Sequence, residues 1–423
     1  MFKNIRSTYD EFPNTFWTLT GANFVDQIGS FLLFPFFALY ITDKFNVGMT
    51  QVGILFTFYS IGSAFGGMLG GALTDKFGRK TMMLFGLVIS GVGSISMGLV
   101  NDLNLFYILA IMLGIIGSAG GPARQAMVAD ILPAKQQAEG FGIMRISANL
   151  AATIGPALGG FLAAKSFMYL FIGDAVSSVI TGIIVYFVIP ETKPEKAVGE
   201  EEETVLQTMG GYKDVFGDWV FMAYLTVSAL MVLVYMQMNS TLSVFLRDSH
   251  GLSTERFGWI LSMNAAMVVL FQFWITRKIA GRPPMLLMAI GTLLYAIGFS
   301  MYGFVSATVM FFVAMIIITL GEMITAPIGQ SLAAQFAPAD KRGRYMAVFG
   351  FSWLLPNMFG VLGAGLIMDY FNPNWVWYLS GIISLVTVAG FMALSKATEV
   401  RLASVEDDDS KVQEIQTTAA AAD

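Results

Sequence analysis

Gly71-Ala72-Leu73-Thr74-Asp75-Lys76-Phe77-Gly78-Arg79-Lys80 is a polar stretch set between two long apolar segments. Gly71 and Gly78 suit tight backbone turns, because neither has a Cβ to clash. Lys76, Arg79 and Lys80 bring three cations to one turn, with Asp75 as the acid among them. Taken alone, the stretch reads as a loop whose positive charge holds it on the cytoplasmic side of a membrane. The segments on either side decide what kind of chain carries it.

Apolar residues make up 56% of the 423 and charged residues only 13%, where ordinary globular proteins have about 25% charged. Mean hydropathy is +0.67. Charge-free runs recur along the whole length, each long enough to cross about 30 Å of hydrocarbon. The chain is therefore read as an all-α polytopic membrane protein. There are no cysteines, so disulfides, thiolate metal sites and cysteine nucleophiles are excluded. No Gly-Lys dipeptide occurs and no His-Glu-x-x-His, which removes a phosphate-binding loop and a zinc-protease helix. No cofactor, no nucleic-acid partner and no enzymatic role are expected. The first apolar run is too long for a signal-peptide core, so no cleaved signal is expected.

Twelve transmembrane helices are expected, at about 15–41, 50–72, 80–100, 104–131, 138–164, 167–189, 219–246, 255–276, 284–304, 308–335, 343–368 and 374–395. They form an N-terminal bundle of six helices (1–190) and a C-terminal bundle of six (219–396), joined by a linker at 191–218. Residues 204–216 of the linker are expected to form a short surface helix. The tail at 397–423, with Asp407-Asp408-Asp409 and a run of alanines, reads as solvated and disordered. With an even number of spans, 20 of the 24 Lys and Arg fall on the side of the termini. That bias predicts both termini and the linker in the cytoplasm. Adding 205 to a position in the first half lands on a matching residue in the second. The pairs are Asp43 and Asp248, Gly53 and Gly258, Pro122 and Pro327, Gln125 and Gln330, Pro133 and Pro338, Gly155 and Gly360, Gly160 and Gly365. A parallel repeat about an axis along the membrane normal follows, with substrate expected near the midplane between the halves.

Three motifs share one resemblance. The opening stretch, with Gly71, Asp75, Gly78, Arg79 and Lys80, resembles the hairpin between helices 2 and 3 of the major facilitator superfamily. The fifth span, Ala151-Ala-Thr-Ile-Gly155-Pro156-Ala-Leu-Gly159-Gly160, resembles the Gly-Pro motif of that family's proton-driven antiporters, with Ala151 in place of its first glycine. Ile28-Gly29 through Pro35 and Ala38 is similar to the first-span pattern of its twelve-span drug exporters, without the final proline. A fourth-span arginine usual in those relatives is missing from Tyr107–Gly117, and Arg124 and Arg145 are candidates to replace it. Their ordinary reading is contact with lipid headgroups, or pairing with Asp75 or Asp130. The resemblance implies a drug:proton antiporter of the bacterial cytoplasmic (inner) membrane, expected to act as a monomer. Asp75 would cap a helix of the other half there, and the Gly-Pro motif would serve the conformational cycle.

Acids inside a membrane are costly, and so are read as functional unless paired. Asp26 and Glu322 both fall near the middle of their spans and are the candidates for proton or substrate charge. Asp174, nearer a helix end, ranks below them. Asn23, Gln27, Asn149, Gln237, Asn239, Asn264 and Asn357 are the candidate cavity residues. Any one of them also suits an interhelical hydrogen bond. The predicted function is proton-coupled export of hydrophobic or cationic compounds. Uptake of a small polar solute, such as a sugar or peptide, and a non-transporting receptor are the alternatives.

Overall fold

The computed structural model describes residues 9, 11–193, 212–338 and 342–420, and among them there are helices and no strand. In chain order they are α1 (Asn14–Leu33), α2 (Phe37–Phe45), α3 (Met49–Phe77), α4 (Arg79–Leu99), α5 (Leu103–Ser118), α6 (Gly121–Ile131), α7 (Ala134–Ala163) and α8 (Met168–Val188). Then come α9 (Tyr212–Gly217), α10 (Trp219–Tyr235), α11 (Thr241–His250), α12 (Thr254–Ile279), α13 (Pro284–Met301), α14 (Thr308–Gln335), α15 (Arg342–Phe349), α16 (Phe351–Tyr370) and α17 (Trp375–Ala420). Among the described residues, 12 segments are long and apolar enough to cross a membrane, from Asn14–Phe45 to Trp375–Ser404. The fold is thus the twelve-helix membrane architecture expected from the charge-free runs.

Three local features differ from expectation. The seventh span stops at Met238 instead of running to 246. A single 3-10 turn, Met236–Met238, interrupts it, and α11 begins afresh at Thr241. The polar run Gln237-Met238-Asn239-Ser240-Thr241 explains the break: the Gln237 amide donates to Leu233 O at 2.9 Å and Gly360 O at 3.3 Å, satisfying carbonyls there. Secondly, the opening stretch is not a ten-residue loop. Helix α3 continues through Gly71 to Phe77, and Gly78 alone makes the turn, at φ 96°. Thirdly, α17 runs on to Ala420 through the stretch expected to be disordered. Its Ala, Glu, Gln and Lys residues are strong helix formers. Of the expected surface helix, 204–211 lie outside the described residues and Tyr212–Gly217 is helical.

Two compact units divide the chain: Met1–Ala197 with Met238–Leu270 and Val361–Phe371, and Val198–Gln237 with Phe271–Gly360 and Asn372–Asp423. In a membrane no hydrophobic force draws helices together, so close backbone contact through small residues does the work. In the first unit, α3 lies against the fourth span through Gly62, Gly66 and Gly70, which face the backbones of Ile111, Ile115 and Ala119. In the second unit, Gly291 and Gly298 of α13 do the same against Gly321 and Ala314 of α14.

The 205-residue repeat reappears in the first unit as two matched seams. Gly160 of α7 lies against Gly258 of α12, whose Cβ position is 2.5 Å from Pro156 O. Gly53 of α3 lies against Leu362 of α16, and Gly365 of α16 against Met49. Gly53 and Gly258 are repeat partners, as are Gly160 and Gly365, so each seam uses one glycine from each half. Asp369 completes the second seam, accepting hydrogen bonds from the N–H groups of Met49 at 2.9 Å and Thr50 at 2.7 Å. It thereby caps the start of α3 and complements that helix's dipole. Both seams lie at the end of the bundle away from Arg79 and Lys80. There helices from both halves of the repeat touch within the first unit.

Gly62→Ala should lower the stability of purified protein by about 1–3 kcal/mol, because the new methyl meets Ile111 O at 2.5 Å. Gly67→Ala, with nothing within 4 Å, should leave the thermal midpoint unchanged or raise it.

Candidate functional site

Asn23, Asp26 and Gln27 stand three and four residues apart on α1, and so share one face of the helix. The fourth span breaks after Ser118 and resumes at Gly121, with Pro122 at the first helical positions. That restart carries Arg124 to the α1 face. Its guanidinium donates to Asn23 Oδ1 at 2.6 Å and pairs with Asp26 Oδ2 at 2.8 Å. Ser178 of α8 donates to the other Asp26 oxygen at 3.4 Å, and Thr181 donates to Ala22 O at 3.0 Å. Among the described residues, Arg124 Nε is buried with no hydrogen-bond partner. Asn23, Asp26 and Arg124 line a cavity of about 450 Å³, with Gln27, Tyr59 and Gln125 on its wall. Asp26 was legible from the sequence; the identity of its partner was not. Arg124 was one of two candidate cations; it pairs with Asp26, while Asp130 pairs with Arg79.

A second cavity, of about 310 Å³, adjoins the first through the shared residues Tyr59, Ser90 and Gly117. It is mostly apolar, and Asp174 is its acid. Asp174 is buried and accepts a hydrogen bond from Ser94 of α4. Ser90, one turn away on α4, is 3.4 Å from Ser178, which also touches Asp26. Serine hydroxyls therefore line the way between the two acids. Ranking Asp174 low as a helix-end residue missed this, since its distance along the helix says nothing of which cavity it lines.

Glu322 belongs to the second unit, half-buried on α14, and accepts a hydrogen bond from Tyr235 at 3.0 Å. Tyr235 in turn packs on Tyr295 and Trp353. The remaining candidates do not line the Asp26 cavity. Gln237 serves the break in the seventh span, Asn264 is buried on α12, and Asn149, Asn239 and Asn357 are half-buried.

At the basic end, Glu191 accepts hydrogen bonds from the N–H of Arg79 at 2.8 Å and of Lys80 at 3.2 Å, capping α4. Gly78 is required twice over, for its positive φ and because the Glu191 carboxylate fills the space a Cβ would take. Arg79 pairs with Asp130 at 2.9 Å, and Lys80 donates to Tyr186 O at 2.7 Å. The Asp75 side chain lies outside the described residues. Burial alone would push the Glu191 carboxyl up, but the N–H groups of Arg79, Lys193, Lys80 and Thr192 together hold it below the usual carboxylate range. In the fifth span, Gly155 and Gly159 face Phe31 and Leu32 of α1, while Pro156 and Gly160 face α12. The Gly-Pro motif thus joins α7 to two helices at once.

A model of the family described as the Major Facilitator Superfamily matches residues 19–360 and 285–420. A Na(+), Li(+), K(+)/H(+) antiporter of Planococcus maritimus is 26% identical over 390 residues, which is 86% of this chain and 91% of the antiporter. The multidrug resistance protein MdtH of Escherichia coli (strain SMS-3-5 / SECEC) is 24% identical over 388 residues, 90% of this chain and 94% of its own. The crystal structure of a peptide transporter POT in complex with sulfate superposes with a TM-score of 0.75 at 16% identity, over 92% of this chain and 96% of that one. This last likeness is one of fold.

Arg124→Gln should destabilise the protein by up to about 3 kcal/mol, since it leaves Asp26 buried without its cation. Adding Asp26→Asn should recover part of that loss in a double-mutant cycle of thermal midpoints. Strict additivity would show that the pair is not coupled. Glu191, with its carboxyl held low, stabilises the fold fully above the unfolded value of about 4.3 and loses that contribution as pH falls through its own lower value. The gap in midpoint between wild type and Glu191→Gln should therefore close on acidification.

Proposed function

Because the chain belongs to the Major Facilitator Superfamily, we propose that it is a proton-coupled exporter of hydrophobic and cationic compounds, working by alternating access. The observation that carries this reading is the Asp26–Arg124 pair on the wall of a cavity in the first unit. A proton arriving at Asp26 neutralises the carboxylate and releases Arg124 from it. The cavity then holds a free cation in place of a closed pair. Loss of the proton restores the pair. Two states of one ion pair, told apart by a proton, are what coupling requires. Glu322, with Tyr235 donating to it, is the second titrating group in this reading.

The sequence halves 1–190 and 219–396 are the moving bodies, with 191–218 as their link. The basic end faces the cytoplasm of a bacterial cell, with both termini. In that orientation the glycine seams close the outer side, and the clamp around Gly78, Arg79 and Glu191 holds the N-terminal bundle together on the inner side. The seams speak against a receptor without turnover, since two matched closures serve a gate. One proton moving down about 100 mV and one pH unit yields roughly 2.3 plus 1.4 kcal/mol. At about 1.4 kcal/mol per decade, that sustains a gradient of several hundredfold.

A second reading is exchange of sodium, lithium or potassium for protons, favoured by the antiporter of Planococcus maritimus at 26% identity. Reconstituted vesicles with an imposed proton gradient separate the two. Ethidium should accumulate against its own gradient, and Asp26→Asn should abolish that uptake while passive binding persists. Proton release on adding alkali cations, with no ethidium movement, would favour the second reading. Proton and solute moving in the same direction would establish symport and end the export proposal.

A further inference from the structure

The two glycine seams are not equivalent, although the repeat makes them partners. At the start of α3 the N-cap is Gly48, which has no side chain to offer. The Asp369 carboxylate of α16 supplies the cap instead, and it fills the space that a Cβ on Gly48 would need. Adding 205 to 48 gives Ser253, and Ser253 caps α12 itself, accepting from the N–H of Arg256 at 3.3 Å. Adding 205 to 164 gives Asp369, so Ala164 stands where a matching acid would be. The turns before the two helices differ likewise. Helix α11 closes on itself: the N–H of Gly251, at φ 62°, donates to Arg247 O at 2.9 Å, and that of Leu252 to Leu246 O at 3.0 Å. Helix α2 is met from outside, by the Arg247 guanidinium, which donates to Thr42 Oγ1 at 3.1 Å and Leu39 O at 3.4 Å. Thr42 and Arg247 are themselves 205 residues apart.

The turn between α11 and α12 is therefore capped by its own residues, whereas the turn between α2 and α3 is capped by residues of the second half. A cation meets the closing end of α2 and an acid the opening end of α3, each matching the helix dipole it faces. Parting α7 from α12 separates small residues and costs neither helix a cap. Parting α3 from α16 takes from α3 its only side-chain cap among the described residues. We infer that the α3–α16 seam is the latch at this end of the molecule and that the α7–α12 seam yields first, with Asp369 and Arg247 as the positioning residues that make the difference. This order of opening rests on the alternating-access reading. One N-cap shifts such an equilibrium about tenfold, enough to decide which seam parts more often.

The chain has no cysteine, so spin labels attach only where one is introduced. Lys165→Cys with Arg256→Cys reports on the α7–α12 seam. The repeat-related pair, Tyr370→Cys with Gln51→Cys, reports on the α3–α16 seam. Pulsed-EPR distances are read on the purified full chain at acidic and neutral pH, with and without ethidium. In the otherwise unchanged protein the α7–α12 pair should show the larger long-distance fraction. Asp369→Ala should raise the long-to-short ratio of the α3–α16 pair about tenfold, bringing the two seams level. Gly48→Ser added to Asp369→Ala gives α3 a cap of its own, as Ser253 gives α12. That double variant should recover the thermal midpoint lost in Asp369→Ala yet leave the seam unlatched, a split that a merely structural cap would not produce. Arg247→Gln should loosen the same pair severalfold and serves if Asp369→Ala does not fold. The latch is overturned by equal long-distance fractions at the two seams, by an α3–α16 pair unmoved in Asp369→Ala or Arg247→Gln, or by a double variant that closes as the wild type does. Distances that never lengthen in either pair would sink alternating access itself, and the latch with it.

Discussion

A carboxylate in hydrocarbon must be neutralised by something the protein supplies or something it binds. The Asp26–Arg124 pair is the protein's own answer, and much of the N-terminal bundle is arranged to make it possible. The fourth span gives up helical continuity between Ser118 and Gly121 so that Arg124 arrives at α1. Asn23 and Ser178 fix the two charged groups from either side. Asp174, a short way off, is left with a hydroxyl and an aromatic wall. Glu322, in the other unit, has a tyrosine hydroxyl. Asp26, Asp174 and Glu322 thus meet three different environments.

Packing answers a second demand. Helices in lipid gain no hydrophobic free energy by meeting, so contact has to be close to be worth having. Gly62, Gly66 and Gly70 let α3 rest directly on the backbone of the fourth span. The Gly-Pro motif does the same on two faces of α7, with Gly155 and Gly159 toward α1 and Gly160 toward α12. The sequence repeat gains a physical meaning here. Gly53, Gly160, Gly258 and Gly365 are spared side chains because each lies where a helix of one half touches a helix of the other.

The twelve spans were legible because apolar length alone decides whether a helix can cross a bilayer. The break in the seventh was not, since Gln237 and its neighbours are tolerated in a span only through bonds to carbonyls such as Gly360 O. Asp26 could be found because a lone acid at mid-span is conspicuous. Its partner could not, because Arg124 lies 98 residues away and reaches it through a break in a different helix. The hairpin shows the same limit from the other side. Its cations were plain in the sequence, but Glu191, which organises them, sits 112 residues beyond Arg79 and carries no local signature. The tail was misread because composition reports solubility, and a soluble stretch rich in alanine and glutamate can still be helical.

Asp369 gives the closed seam a character that glycines alone would not. Its two oxygens are satisfied by Met49 and Thr50 at direct contact, and would be satisfied again by water once the helices part. Between those separations lies a gap too wide for the bonds and too narrow for solvent. In the proposed export cycle every intermediate spacing would strand the Asp369 carboxyl and two helix-end amides, so the seam would behave as a toggle rather than a slide. A barrier with only a shut and a fully wetted position spends little time ajar, which limits the passive leak of ions that a transporter in an energised membrane has to avoid.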